Sequence, residues 1–353
     1  MNTQRLGRVT AVMASEGVSA LLVTDWANIC WLTGFTGSAG VVYVTREGEP
    51  VLVTDGRYAE RAADEAPGTA VLLDRTWGWL ADSHPRDREL AVEADHMTLA
   101  TAQSLRELDP DLTLRPTSGL LQTLRQRKDA TEIAALRQAC AITGQAFEDA
   151  LGWLAPGLTE IAVARRLVAT MIDLGADGPA FAPIVAAGLN GSRPHHDPTG
   201  ARLAAGDLIT MDFGALVDGY HADMTRTVSL GDPDPSLIRI HDVVHDAQQA
   251  GVQAAVVGAS TQQVDSACRE PIGRAGHAEE FVHGTGHGVG LAIHETPFLG
   301  RNSPGTLADR MTVTVEPGVY VAGLGGVRIE DVVLVAATGS ERLTTAPRQL
   351  IRL

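Results

Sequence analysis

Lysine is almost missing from this chain of 353 residues: Lys128 is the only one among 28 basic residues. A Schiff base, a phosphate-loop lysine and a Ser-x-x-Lys site would each have only Lys128 to draw on, and its context, Arg127-Lys128-Asp129-Ala130, fits none of them. Cysteine is nearly as scarce. Cys30, Cys140 and Cys268 are odd in number and far apart, which excludes a disulfide framework and a CxxC zinc site. Free buried thiols in a reducing cytoplasm are the expectation. No apolar run approaches the length that crosses a bilayer. The first residues carry Leu6, Val9, Val12 and Met13 at helical spacing, not the layout of a signal peptide. There is no GxGxxG. Thr36-Gly37-Ser38-Ala39-Gly40 misses the nucleophile-elbow pattern, because position 36 is not glycine. Positive charge is in deficit, with a net charge of −15, which argues against a nucleic-acid or anionic-membrane partner.

What remains is a composition of 44% hydrophobic and 20% charged residues, as in soluble globular proteins, and a length that suits two domains. Over 7–75 helix and strand signals alternate. A helix over about 3–16 leads to a strand at Ser19–Thr24, a glycine-broken loop over Asp25–Ser38, and strands Gly40–Thr45 and Pro50–Thr54 joined by an Arg46–Glu49 turn. Arg57–Ala66 reads as helix, Val71–Leu73 and Glu89–Glu93 as strands, and Thr98–Leu108 as helix. This rhythm predicts a small α/β domain. Asp109-Pro110 and Arg115-Pro116 punctuate its end, Ser118–Gln126 reads as a short helix, and Asp129 with Glu132 resembles a capping box. The boundary falls close to 125, giving domains 1–125 and 126–353. The second has helices over about 130–154, 159–175, 236–257 and 261–275, interleaved with antiparallel strands. It is expected to be α+β, with helices covering one face of a curved sheet. The halves 130–230 and 236–335 share this order and suggest a pseudo-repeat.

The stretch Thr210–Val228 reads as a β-hairpin centred on Asp218-Gly219, a favoured type I′ pair. That centre pairs Val217 with Tyr220, Ala215 with Ala222, and Asp212 with Thr225. Faces alternate along a strand. Ile209, Met211, Phe213, Ala215, Ala222, Met224 and Val228 then share a core face, while Thr210, Asp212, Gly214, His221, Asp223 and Thr225 share the other. Asp212 and Asp223 become diagonal neighbours about 7–8 Å apart. Two carboxylates aimed at one space repel unless a proton or cation lies between them; two solvated aspartates on an exposed hairpin are the alternative.

Other segments offer ligands to the same place. His283-Gly284-Thr285-Gly286-His287-Gly288-Val289-Gly290 is too glycine-rich for a helix and so cannot be a helical HExxH site; it lets backbone and imidazole approach something closely. In Met311–Glu316, Thr312, Thr314 and Glu316 oppose Met311, Val313 and Val315; in Gly326–Asp331, Arg328 and Glu330 oppose Val327 and Ile329. Arg193–Pro198, with His195 and His196, and His294–Pro297 are proline-bounded loops. Taken alone, Glu316 and Glu330 are more often solvated edge residues and the two proline-bounded loops more often ordinary surface loops, while the glycine-rich loop is evenly balanced between a bland and a ligating role. Together, four carboxylates and one imidazole suit hard or borderline divalent ions such as Mn²⁺, and four carboxylates balance two such ions in formal charge.

The order Asp212, Asp223, His287, Glu316, Glu330 resembles the five-ligand signature of the pita-bread metallopeptidases. The flanking MDFG, DMTRT, HGTGHGVG, HETP, VEPG and GVRIED segments resemble it too, closely over about 130–353. WLTGFTGSAG and DGRY are similar to the extra N-terminal domain of the proline-specific branch, which comprises Xaa-Pro dipeptidases (prolidases) and Xaa-Pro aminopeptidases. The resemblance implies a pita-bread catalytic domain behind a creatinase-like α/β domain. It implies two divalent metal ions, Mn²⁺ first with Co²⁺ or Zn²⁺ as alternatives, bridged by Asp223 and Glu330, with Asp212 completing one shell and His287 and Glu316 the other. It assigns His195 and His294 to the substrate site and to the tetrahedral intermediate, His283 to a place near the peptide, and Tyr320 and Arg328 to supporting or substrate-side places.

The implied reaction is attack by a metal-bridging hydroxide on the carbonyl before proline, with Glu316 shuttling a proton to the leaving nitrogen. Creatinase-like relatives lose these ligands, so the presence of all five favours an enzyme over a binding scaffold. The implied setting is a cytoplasmic homodimer. A dipeptidase needs a cation for the proline carboxylate. Arg193, Arg301 and Arg328 lie near the motifs, and Arg46, Arg57 or Arg61 of a second subunit is an alternative source; Phe298 stands where some relatives have arginine. Chain length favours the dipeptidase, with the aminopeptidase as the alternative.

Overall fold

Capping residues set where the helices begin. Asp25, Thr98, Asp129, Thr159, Asp234 and Ser260 each accept a backbone N–H from the first turn that follows, satisfying donors that a helix start leaves open. The structure is a computed structural model and describes residues 3–46, 49–83 and 88–353. Contacts divide the chain into two compact units, Met1–Arg125 and Gln126–Leu353.

The first unit holds a six-stranded mixed sheet, ordered Ala70–Leu73, Val51–Thr54, Val41–Thr45, Ala20–Val23, Glu89–Glu93, Thr113–Thr117. Leu22, Tyr43, Leu80, Leu90, Val92 and Leu105 build its core. Two expectations need correction here. Asp25–Ser38 is not a loop throughout: Trp26–Thr33 is a helix, capped by Asp25 and ended by Gly34 at φ 88°. All of its residues after Trp26 are buried, so it lacks the polar stripe that betrays a surface helix. Arg115-Pro116 does not end the domain's sheet. It lies inside the strand Thr113–Thr117, at the edge where a proline's missing N–H is tolerated. The short helix Gly78–Ser83 was not expected. The Arg46–Glu49 turn includes Glu47 and Gly48, which lie outside the described residues.

In the second unit the helices Ala130–Leu151 and Glu160–Asp173 precede two small sheets, and Pro235–Ala254 and Thr261–Arg274 precede a five-stranded one. The capping box at the start of the first is present: Asp129 accepts from Thr131 and Glu132, and Glu132 accepts from the Asp129 N–H at 2.8 Å. The five-stranded sheet runs Glu295–Leu299, Gly286–Gly288, Met311–Val315, Asp331–Ala336, Gly339–Arg342. Its Val313, Val315 and Val333 pack with Val244, Val264 and Cys268 of the two later helices. All three cysteines are buried and free. Among the described residues no helix is long and apolar enough to cross a membrane.

The hairpin has the expected register: Val217 opposes Tyr220, Phe213 opposes Met224, and Asp212 opposes Thr225. Asp218 and Gly219 both have positive φ, 51° and 79°, as a type I′ turn requires. The ladder is broken into two strand pairs, Leu208–Phe213 with Met224–Ser229 and Ala215–Val217 with Tyr220–His221, which belong to different sheets. The break is at Gly214, where an added Cβ would lie 1.8 Å from the Ala222 carbonyl oxygen; the strands close in here only because residue 214 has no side chain. The apolar face is fully buried, but Thr210, Thr225 and Thr227 of the other face are buried too.

Candidate metal centre

Each half of the second unit delivers carboxylates to one cavity of about 550 Å³. Asp212 comes from the strand Leu208–Phe213, and Asp223 from the residue before Met224–Ser229. His287 lies in Gly286–Gly288, Glu316 just after Met311–Val315, and Glu330 between Gly325–Arg328 and Asp331–Ala336. All five line the cavity. Ligand atoms of Asp223, His287 and Glu330 lie within 4.8 Å of one another. His287 Nε2 is 3.6 Å from Asp223 Oδ2 and 3.4 Å from Glu316 Oε1. His287 can sit this deep because its neighbour is glycine: a Cβ at Gly286 would lie 2.0 Å from the Thr314 carbonyl oxygen.

Hydrogen bonds orient four of the five candidate ligands, His287, Glu330, Glu316 and Asp212. His287 Nδ1 donates to the Gly288 carbonyl at 3.0 Å, which leaves the Nε2 lone pair facing the carboxylates. Thr225 Oγ1 donates to Glu330 Oε2 at 2.7 Å and accepts from Arg328 Nε at 3.0 Å. Thr314 Oγ1 donates to Glu316 Oε1 at 3.2 Å. Arg328 NH2 pairs with Asp212 Oδ2 at 2.7 Å. Burial, and then the neighbouring Glu330, Asp212 and Glu316 charges, push the Asp223 carboxyl well up. Burial, then Glu316 and Asp212, do the same to Glu330. Glu316 is pushed up to about 7 by burial, with Arg328 opposing and Asp212 adding to the shift. Burial lowers His287 and keeps it neutral.

The surrounding residues separate into two groups. His195 and His294 are exposed and line the cavity, and the His294 ring meets His287 edge to face at 4.4 Å between centroids. His283, Tyr320 and Arg328 instead form a chain. Arg328 NH1 donates to Tyr320 Oη at 2.8 Å, Tyr320 donates to His283 Nε2 at 2.8 Å, and His283 Nδ1 donates to the Gly284 carbonyl at 2.8 Å. His283 is lowered to about 4, mainly by burial and then by Arg328, so it accepts the Tyr320 proton as a neutral ring. Both of its nitrogens are committed, which leaves ring carbon for the cavity it lines. Tyr320 stands behind that wall, not in it.

Sequence reasoning missed Thr225 as the residue that orients Glu330. It also missed Arg226, which is 1% exposed. Arg226 opposes Met211 on the core face, pairs with Asp331 at 2.6 Å and donates to the Thr225 carbonyl at 2.9 Å. A signal was available, since an arginine at a core-face position demands a buried partner. Lys128, which fits no catalytic motif, forms a buried ion pair at 2.5 Å with Glu295. His294–Pro297 is accordingly no simple loop: the strand Glu295–Leu299 starts within it.

The donor set fits divalent cations. Asp212 Oδ1 is buried and has no hydrogen-bond partner among the described residues, an acceptor left open by a residue whose other oxygen is held by Arg328. Four carboxylates crowd one space at a repulsion that a cation would relieve, and the set is oxygen-rich with one imidazole.

Comparison with known proteins agrees with this geometry. Residues 134–337 match the model of metallopeptidase family M24, and residues 5–127 match the creatinase/prolidase N-terminal domain. An uncharacterized peptidase of Bacillus subtilis is 37% identical over 99% of this chain and 100% of its own. The structure of an Xaa-Pro dipeptidase from Bacillus anthracis superposes with a TM-score of 0.95 at 35% identity, covering 99% of both chains. That of an X-Pro aminopeptidase from Thermotoga maritima gives 0.89 at 32% identity, covering 96% of this chain and 98% of the other.

Proposed function

The chain belongs to metallopeptidase family M24 and has its pita-bread fold, and from that membership we propose that it hydrolyses the bond between an N-terminal residue and proline, with dipeptides as the first substrates. The observation that carries this reading is the single cavity walled by Asp212, Asp223, His287, Glu316 and Glu330 with His195 and His294 beside them. In this reading Asp223 and Glu330 would bridge two divalent ions, Mn²⁺ first and Co²⁺ or Zn²⁺ otherwise. Asp212 would complete one shell, and His287 and Glu316 the other. Bound ions of this kind supply an activated water and polarise a carbonyl.

The chain's own groups do the rest. His195 and His294 donate to the scissile carbonyl oxygen as it gains charge. Glu316 takes a proton from the attacking water and delivers it to the departing proline nitrogen. Phe181, Ile184, Ile293 and Phe298 line the cavity and offer an apolar wall to a pyrrolidine ring. Free buried thiols fit a reducing cytoplasm, and a homodimer belongs to the same reading; light scattering tests it. The net charge of −15 supports the absence of a nucleic-acid partner.

One observation favours the aminopeptidase reading. Arg328 is the only arginine or lysine in the cavity wall among the described residues. Its Nε, NH1 and NH2 are committed to Thr225, Tyr320 and Asp212. Among the described residues of this wall a proline carboxylate then finds no open arginine or lysine, whereas a longer peptide needs none. Ala-Pro and Ala-Pro-Ala, offered to the Mn²⁺-loaded protein, decide between them. Cleavage of the tripeptide alone replaces dipeptidase with aminopeptidase, and cleavage of neither sinks both.

A further inference from the structure

Glu160 is fully buried, and among the described residues its side-chain hydrogen bonds go to Ala187, Asn190, His196 and Thr199, none of them one of the five candidate ligands. It is the first residue of the helix Glu160–Asp173, and both of its oxygens turn away from that helix to one segment. Oε1 accepts from Ala187 N and Asn190 Nδ2, each at 2.9 Å. Oε2 accepts from His196 Nε2 and Thr199 N at 2.9 Å and from Thr199 Oγ1 at 2.6 Å. Burial alone would raise this carboxyl; the hydrogen bonds outweigh it and hold the group at about 2. An ionised carboxylate with five donors is a rigid clamp.

The clamped segment carries His195. Its side chain lines the cavity and has no hydrogen bond of its own among the described residues. Its place is therefore set by the segment that carries it, which Glu160 holds at the Ala187 and Thr199 N–H groups and through the Asn190 and His196 side chains. Further ties to the segment are Arg328 NH1 to the Pro194 carbonyl at 3.3 Å, Ile161 N to the Thr199 carbonyl at 3.1 Å, and the strand pairing of Ala187 with Ile209. We infer that Glu160 is a positioning residue for His195, acting through the segment Ala187–Thr199; this rests on the reading that His195 serves the reaction. A displacement of about 1 Å in such a group lowers turnover by about 100-fold.

The test is a double-mutant cycle on the Mn²⁺-loaded full chain with Glu160→Gln and His195→Ala. An amide turns one oxygen into a donor and sets it against donors. Glu160→Gln is expected to lower kcat about 10- to 100-fold with metal content unchanged. The double variant is expected to match His195→Ala within about twofold, since coupled residues are not additive. A double variant that loses the full product of the two effects overturns the inference, as does a wild-type kcat in Glu160→Gln. Thr199→Val removes one of the five hydrogen bonds and serves if Glu160→Gln does not fold; its loss should be smaller and equally absent in the His195→Ala background. A wild-type kcat in His195→Ala alone would instead overturn the reading of His195. Histidine-labelled NMR of the metal-free protein then isolates the clamp: the His195 ring signal should move in Glu160→Gln while that of His241 stays, and an unmoved His195 signal refutes it.

Discussion

Removing metal should make stability fall as pH rises, and the centre itself sets the size of the effect. Glu316 has its carboxyl raised from 4.5 to about 7 by burial, with the Asp212 charge adding to it. A group raised in the folded state favours folding fully below its unfolded value, and that contribution is lost as pH climbs through the folded one. The window is therefore from about pH 4.5 to just above 7. A shift of this size is worth about 3 kcal/mol, and Asp223 and Glu330 move in the same direction. For a unit of this size, each kcal/mol moves Tm by about 2–4 °C, so Glu316 alone predicts a fall of roughly 6–12 °C in EDTA between pH 5 and 8. Scanning calorimetry across that range measures it. Added Mn²⁺ should restore more at pH 8 than at pH 5, because cations bind the ionised cluster. Glu316→Gln should flatten the metal-free profile and raise Tm at pH 8. A flat wild-type profile in EDTA, or a Glu316→Gln protein no more stable than wild type at pH 8, would refute the picture of mutually repelling buried carboxylates.

Asp223→Ala and Glu316→Ala should each abolish turnover of Ala-Pro or Ala-Pro-Ala; near-wild-type kcat with full metal occupancy, read by elemental analysis, would contradict the ligand assignment. Thr225→Val leaves Glu330 without its 2.7 Å donor and should weaken Mn²⁺ binding about 10- to 100-fold, as titration calorimetry would show. Arg226→Met leaves Asp331 buried beside a lost partner and should destabilise the protein by about 3–5 kcal/mol in urea titration; a loss below about 1 kcal/mol would mean that Arg342 and Arg348, at 3.5 and 3.9 Å from Asp331, already suffice.

Strand parity made much of the site legible. Asp212 and Asp223 were brought together from a turn dipeptide and alternation alone, and Glu316, Arg328 and Glu330 from the polar faces of their strands. Both are local signals of period two. Parity failed where a face is covered on both sides. Trp26–Thr33 shows no stripe because nothing in it is left polar by exposure, and Thr225 reads only as a member of the hairpin's polar face although it is 0% exposed. The motif resemblance supplied His195 and His294, but not what holds them. Glu160 carries no periodic signal, because its partners begin 27 residues further on and span a loop.

The supporting bonds have a further order that distance in sequence hides. Thr225 and Arg226 are neighbours on opposite faces of one strand, and they reach Glu330 and Asp331, again neighbours, each 105 residues away. One hydroxyl aims a carboxylate at the cavity, and the next residue ties the same backbone into the core. Arg226 also donates to the Thr225 carbonyl, so the two ties share an atom group. Fold stability and ligand geometry are then one mechanical system at this point. Arg226→Met should consequently weaken Mn²⁺ binding although the guanidinium touches no ligand side chain. A variant that lost stability but bound Mn²⁺ with unchanged affinity would show that the core face and the cavity face of this strand act independently.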